Sequence, residues 1–340
     1  MSRKNEKDKT LSVRIGILSF AHMHAASYAG SLPHIPGATL VGIADEDRDR
    51  ATRMATQFGT TAYPSYEALL ADVDAVVICS ENVHHRRLTE LAAKAQKHVL
   101  CEKPLATTLE DADAMIAICA ENGVKLFTAF PCRFHPAYKR LKAATQEGAI
   151  GQIIGANTTN QGQCPGGWFI DKKMSGGGAA IDHTVHVTDL LRDMMGAEPV
   201  EVYAELTNGM AHSDYDDCAL ITITFDNGVF ATLDASWSRP KSFWTWGNVK
   251  IALTGTEGVA SMDMFAQNHV VFSDVAERPS LHNWGDNMDL EMIQAFVDAV
   301  AGTQDLNAPV SLATGEDGRA AARVALAAYR AAETGQPVTL

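Results

Sequence analysis

The sequence predicts an α/β chain in two parts: a doubly wound parallel sheet first, then an α+β domain whose open sheet is mainly antiparallel. Three observations carry this reading. From residue 12 to about 135, short apolar runs alternate with helix-period segments and no hairpin signal separates them, which is the pattern of βαβ units. Later runs alternate apolar with polar residues and are joined by turn signals such as Asp226-Asn227-Gly228, which is the pattern of antiparallel pairing. Between the two parts an amphipathic helix follows three glycines, Gly176 to Gly178.

In chain order, residues 1–11 are basic with no apolar segment behind them, so they read as a flexible tail rather than a signal peptide. Strands are expected at 13–18, 39–44, 75–79, 98–101 and 126–130, with helices at about 21–32, 50–58, 88–96 and 112–121. The boundaries are placed at 12–132 and 133–340. Residues 157–163 and their neighbours are polar and read as loop. Strands follow at 200–206, 218–225, 229–237, 248–254 and 269–272, and helices near 288–300 and 315–332 close the chain.

Composition narrows the function classes. With 41 acidic against 28 basic residues, a net charge of −13 argues against nucleic acid or an anionic membrane as the main partner. No run approaches the length of a membrane span. The six cysteines are scattered, without a C-x-x-C pair, and read as reduced thiols of a cytoplasmic protein.

Ligands of doubly wound sheets sit beyond the carboxyl ends of the strands, so those positions come first. The turn after the first strand is Ser19-Phe20-Ala21-His22-Met23-His24, where G-x-G-x-x-G would mark a phosphate loop. Ser19 and Ala21 are small, whereas His24 is bulky at the third glycine position. The helix start still offers N–H groups and a positive dipole end. The second strand ends in Asp45, placed to accept both ribose hydroxyls of NAD and to repel the 2′-phosphate of NADP. The other task open to Asp45 is to cap the next helix.

In the helix after the glycines, Val187, Leu190, Leu191, Met194 and Met195 form an apolar stripe, and Asp182, His186, Asp189 and Asp193 a polar one. Asp182 and His186 are one turn apart, so the carboxylate can orient the imidazole. A solvated helix face is the alternative. His183, at the edge of the apolar stripe, reads as a core histidine.

The fourth and fifth strand ends, C-S-E-N-V-H-H and C-E-K-P-L-A, together with G-G-G-x-x-x-D-x-x-x-H, make the chain similar to the Gfo/Idh/MocA family from Val13 to Leu340. The resemblance implies a Rossmann domain over 12–132 and a substrate-binding, oligomerising domain over 133–340. It implies NAD(P)-dependent oxidoreduction of a sugar, sugar derivative or cyclitol, and a homodimer or homotetramer formed through the second sheet. By position, Lys103, Asp182 and His186 match the family's catalytic lysine, aspartate and histidine, and metal is expected to be absent. Glu102, Ser80, Asn82 and His85 match residues beside the cofactor, and Ser19, Phe20, Ala21, His22 and Asp45 complete its expected site. Glu81 stands where the family has proline, and Gln96 where it has glycine. Arg133, Trp168 and Lys172 are candidates for substrate hydroxyls. The chemistry agrees: oxidising an alcohol needs a base for its proton and a cation beside the developing alkoxide. Two rival readings are a cofactor-binding protein without turnover and a barrel-type metal hydrolase built on His22 and His24.

Overall fold

A computed structural model describes residues 12–283, 286–305 and 307–340; the expected tail, residues 1–11, lies outside them. The first part runs β1 (Val13–Leu18), α1 (His24–Ser31), β2 (Ala38–Ala44), α2 (Arg48–Phe58), β3 (Thr61–Ala62), α3 (Tyr66–Leu70), β4 (Ala75–Ile78), α4 (His85–Lys94), β5 (His98–Cys101), α5 (Leu109–Glu121) and β6 (Leu126–Thr128). Then follow α6 (Pro136–Gln146), β7 (Ile153–Gly162), α7 (Lys172–Ser175), α8 (Ala179–Met195), β8 (Pro199–Thr207), β9 (Cys218–Phe225), β10 (Phe230–Ser236), β11 (Gly247–Gly255), β12 (Val259–Asp263), β13 (Asn268–Ser273), β14 (Arg278–Asn283), α9 (Met288–Ala301), β15 (Ala313–Thr314), α10 (Gly315–Thr334) and β16 (Val338–Thr339).

The first sheet has the order β15-β6-β5-β4-β1-β2-β3, parallel except for the edge strand β15. Central β4 is buried along its whole length, as expected of a strand covered by helices on both faces. Strand order reverses at β1, which lies between β2 and β4, so the crevice opens beyond the ends of β1 and β4. An open sheet of this order is no eightfold barrel, which removes the fold that a barrel hydrolase needs.

The second sheet has the order β12-β11-β7-β10-β9-β8-β16, antiparallel apart from the β7–β10 pair. Its inner face packs on α8 and α10. Here the structure corrects the sequence reading: residues 157–162 are not loop but more than half of the interior strand β7, with Gln163 just past its end. The ladders to β10 and β11 override a polar composition, and its inward polar groups find partners. Thr158 donates to the Thr232 carbonyl and Asn160 to that of His183.

Two positions show how the backbone holds its shape without the expected glycine. Ser19 has φ +70° and Gln96 φ +60°, a left-handed conformation that costs a side-chain-bearing residue roughly 1–2 kcal/mol.

The three glycines before α8 admit other parts of the chain. A Cβ on Gly178 would lie 2.0 Å from the Asp216 carbonyl oxygen, and one on Gly177 2.1 Å from the Tyr329 hydroxyl. Gly178 offers no capping side chain, and Asp216 supplies the cap from the loop before β9. Its carboxylate accepts the Gly178 and Ala180 N–H groups and its carbonyl that of Ala179. This satisfies donors that a helix start leaves orphaned and sets a negative charge at the positive dipole end. Residues 179 to 191 of α8 are all buried, so its polar stripe is an interior feature and not a solvated face.

Candidate active site

A cavity of about 190 Å³ opens beyond β1 and β5 and against α8, with His22, His24, Lys103, Asp182, His183 and His186 in its wall. Lys103 follows β5 directly; the peptide bond from it into Pro104 is cis. Its ammonium lies 2.5 Å from Asp182 Oδ1. Asp182 Oδ2 accepts the Trp237 indole N–H at 3.1 Å and lies 3.3 Å from His183 Nε2. Burial works to raise the Asp182 pKa, but Lys103, His183 and the Trp237 hydrogen bond outweigh it and hold the carboxyl below its ordinary range.

The orienting role expected for Asp182 toward His186 is therefore corrected. Asp182 turns to Lys103, while His186 Nδ1 faces Cys132 Sγ at 3.9 Å and the ring packs edge-on against Phe130. Burial, followed by the Lys103 charge, pushes the His186 pKa well below its ordinary value, leaving a neutral imidazole. His183 is buried and bonded to the Asn160 carbonyl at 2.8 Å, yet it also lines the cavity. Sequence reading missed Cys132, Asn160 and Trp237, because partners that come from other elements carry no local signal.

A second cavity, of about 290 Å³, lies on the other side of the first turn and is lined by Ser19, Asp45, Arg50, Ser80, Glu81 and Arg87 among others. Asp45 accepts hydrogen bonds from the Phe20 N–H, the Asp47 N–H and, bidentately at 2.7 Å, from Arg50. Capping of α2 falls to Asp47 instead, which accepts from the Arg50 N–H. Ser19 Oγ donates to Asp45 and accepts the Ala21 N–H.

The turn itself is largely self-satisfied. The His22 N–H donates to the Cys79 carbonyl and the His24 N–H to His22 Nδ1, while the Ala21 carbonyl accepts the Trp168 indole N–H. Glu102 Oε2 accepts the Lys103 N–H and Oε1 lies 3.1 Å from His24 Nδ1. Asn82 donates to the Ser175 carbonyl; His85 bridges the turn to the Pro104 and Ser80 carbonyls; Ser80 Oγ donates to the Glu81 carbonyl. Two buried polar atoms here have no partner, His22 Nε2 and Asn82 Oδ1. With a cavity on each side of the turn and these two atoms free to bond, the residues fit an extended dinucleotide.

The three residues proposed for substrate hydroxyls do not converge on the first cavity. Arg133 is buried and clamped bidentately by Asp189, with Asp193 and Asp317 nearby. Trp168 stacks on Phe169, which lines the cavity in its place. Lys172 is exposed at the start of α7.

Residues 13–130 match an oxidoreductase family with an NAD-binding Rossmann fold, and residues 138–261 match the GFO/IDH/MocA C-terminal domain. The chain is 30% identical to the myo-inositol 2-dehydrogenase of Thermotoga maritima, over 96% of this chain and 98% of that protein. It belongs to the GFO/IDH/MocA family. This family member is also 31% identical to the 1,5-anhydro-D-fructose reductase of Ensifer adhaerens, over 88% of this chain and 90% of that one. Among solved structures, a probable dehydrogenase from Thermotoga maritima superposes with a TM-score of 0.82 at 29% identity, covering 96% of this chain and 98% of its own. GenD2 from gentamicin A biosynthesis, in complex with NAD, gives 0.86 at 24% identity over 97% of both chains, a likeness of fold. The GFO/IDH/MocA chain is thus an oxidoreductase with an NAD-binding Rossmann domain, and its relatives include sugar and cyclitol dehydrogenases and reductases. Among the described residues, no helix is long and apolar enough to cross a membrane.

Proposed function

We propose that this enzyme moves a hydride between NAD and a hydroxyl-bearing carbon of a sugar, sugar derivative or cyclitol, with Lys103, Asp182 and His186 acting on the hydroxyl. The observation that carries this reading is the Lys103–Asp182 contact in a cavity wall that also holds a neutral, buried His186. When bound, the nicotinamide accepts or returns the hydride. Lys103 sets a positive charge beside the oxygen as alkoxide character develops. Asp182 anchors Lys103 and keeps the local charge balanced. His186 turns Nδ1 toward Cys132, which leaves Nε2 to take the hydroxyl proton.

NAD is the preferred cofactor in this reading because Asp45 ends β2 in the second cavity. Its acceptor positions are taken by Arg50, the Ser19 hydroxyl and two backbone N–H groups, so a ribose diol binds by displacing Arg50. The outer face of the second sheet exposes Ile154, Leu220 and Phe230, which supports a homodimer or homotetramer built on that face. Six free cysteines among the described residues support a reducing, cytoplasmic setting.

The test is a screen of sugars, cyclitols and glycosides with NAD, followed by NADH absorbance. Turnover of at least one polyhydroxylated class is expected. Binding of NADH with no turnover across the screen and in the reverse direction would favour the non-catalytic reading.

A further inference from the structure

The proton and hydride transfers proposed above give His22 and His24 no part, although His22 and Glu102 also lie in the expected cofactor site. His24 stands at the third glycine position of the phosphate loop and His22 two residues before it, and the structure brings Glu102, just after β5, against both. Glu102 Oε1 lies 3.1 Å from His24 Nδ1 and 3.8 Å from His22 Nδ1. One ligand atom from each of the three residues lies within 4.8 Å of the other two. Ligands about 2.1 Å from a tetrahedral ion are about 3.4 Å from one another, and the two measured spacings bracket that value.

The surroundings fit a cation. Glu102 is fully buried and His22 nearly so. Glu102 hydrogen-bonds to His24 Nδ1, the Lys103 backbone N–H and the Tyr28 hydroxyl, none of them a lysine or arginine side chain, and the Lys103 ammonium acts on it through charge alone. The two imidazole rings meet edge to face with centroids 4.4 Å apart. Their frame is fixed: the His22 N–H is tied to the Cys79 carbonyl, His24 opens α1, and Glu102 donates its N–H to the Ile78 carbonyl. Ligation through Nδ1 of His22 would exchange the 3.2 Å contact from the His24 N–H for a metal bond. Both histidines line the cavity that contains Lys103, so an ion held by the three residues has an open coordination position toward it.

We propose that His22, His24 and Glu102 form a binding site for a divalent transition-metal ion of the Zn²⁺ class. Two imidazoles and one carboxylate with an open fourth position are the ligand set of open zinc sites. The proposal goes beyond hydride transfer, and because His22 and Glu102 are shared with the expected cofactor site it is tested on protein free of cofactor.

The experiment uses the full chain without an affinity tag, stripped with chelator and reloaded with Zn²⁺ in the absence of cofactor and substrate. Metal is measured by mass spectrometry after gel filtration, and Co²⁺ serves as a visible-absorption probe of coordination. Expected are one retained equivalent of Zn²⁺ and a low-symmetry Co²⁺ spectrum, with affinity at least roughly 10–100-fold weaker in Glu102→Gln and His24→Ala, since even a lost outer-shell partner costs that much. Thermal unfolding checks that each variant is folded. His24→Gln, at a partly exposed residue, keeps the test decisive if the buried Glu102 variant does not fold. Trace metal only in folded wild type, or unchanged retention in the folded variants, would overturn the site. NADH turnover of the stripped protein is measured separately, so loss of the metal proposal leaves the hydride-transfer reading untouched, and the reverse holds.

Discussion

Nζ of Lys103 lies 2.5 Å from Oδ1 of Asp182, although the two are 79 residues apart and His186 is the turn-neighbour of Asp182 on α8. Both members of the pair are buried, and removing one partner of a buried pair typically costs about 3–5 kcal/mol. Asp182→Asn is expected to lose about that much at pH 7. The Asp182 carboxyl is held below its ordinary value of 3.8, so the pair's stabilisation is fully present above that pH. It is lost as pH falls through the lower, folded value. Urea unfolding of wild type and variant from pH 7 to pH 2 should therefore show a gap that closes only in strong acid. A gap that does not vary with pH would assign the loss to packing instead.

Arg50 and Asp45 form the corresponding pair in the second cavity. Arg50→Ala should free two acceptor positions for the ribose diol and raise the ratio of kcat/KM for NAD over NADP. Asp45→Ser should lower the same ratio, with wild type favouring NAD by about tenfold or more, a difference of about 1.4 kcal/mol. Steady-state kinetics with both cofactors decide this; an NADP preference in wild type would contradict the assignment of Asp45.

Part of this site was legible in the sequence because its residues lie on motifs with fixed places in the fold. E-K-P follows β5 and D-x-x-x-H lies on α8, and the Lys103–Asp182 contact joins the two motifs. What the sequence did not disclose were the pairings made across elements. Trp237 and His183 complete Asp182, Cys132 faces His186, and Asp216 caps α8 from a distant loop. The polar residues of β7 concealed an interior strand because backbone ladders, not side-chain pattern, hold it in place.

Arg133 illustrates the same limit. A basic residue just after β6 suggests a ligand contact, but its guanidinium is spent on Asp189, whose carboxyl is pushed up to about 6 by burial. Arg133→Met should cost about 3–5 kcal/mol, and the double change with Asp189→Leu should recover most of it. Equilibrium urea unfolding measures both. Substrate KM is expected to stay unchanged in the double variant, and a large KM increase there would restore a substrate role.

Gln96 occupies a left-handed position after α4, at φ +60°, where glycine is free of the side-chain penalty. Gln96→Gly is expected to stabilise the protein by about 1 kcal/mol, read as a higher urea midpoint. An unchanged or lower midpoint would mean that the side chain's contacts offset the backbone strain.

Single-turnover hydride transfer in wild type, Lys103→Ala, His186→Ala and the double variant tests the chemistry most directly. Each single change should slow the step by roughly 10²–10⁴-fold, the range for a lost general base or a lost charge partner. NADH affinity should stay nearly constant. The double variant should fall far less than the product of the singles, because the residues act as a unit on one hydroxyl. A wild-type rate in either single variant, with its fold intact, would contradict the assignment of that residue.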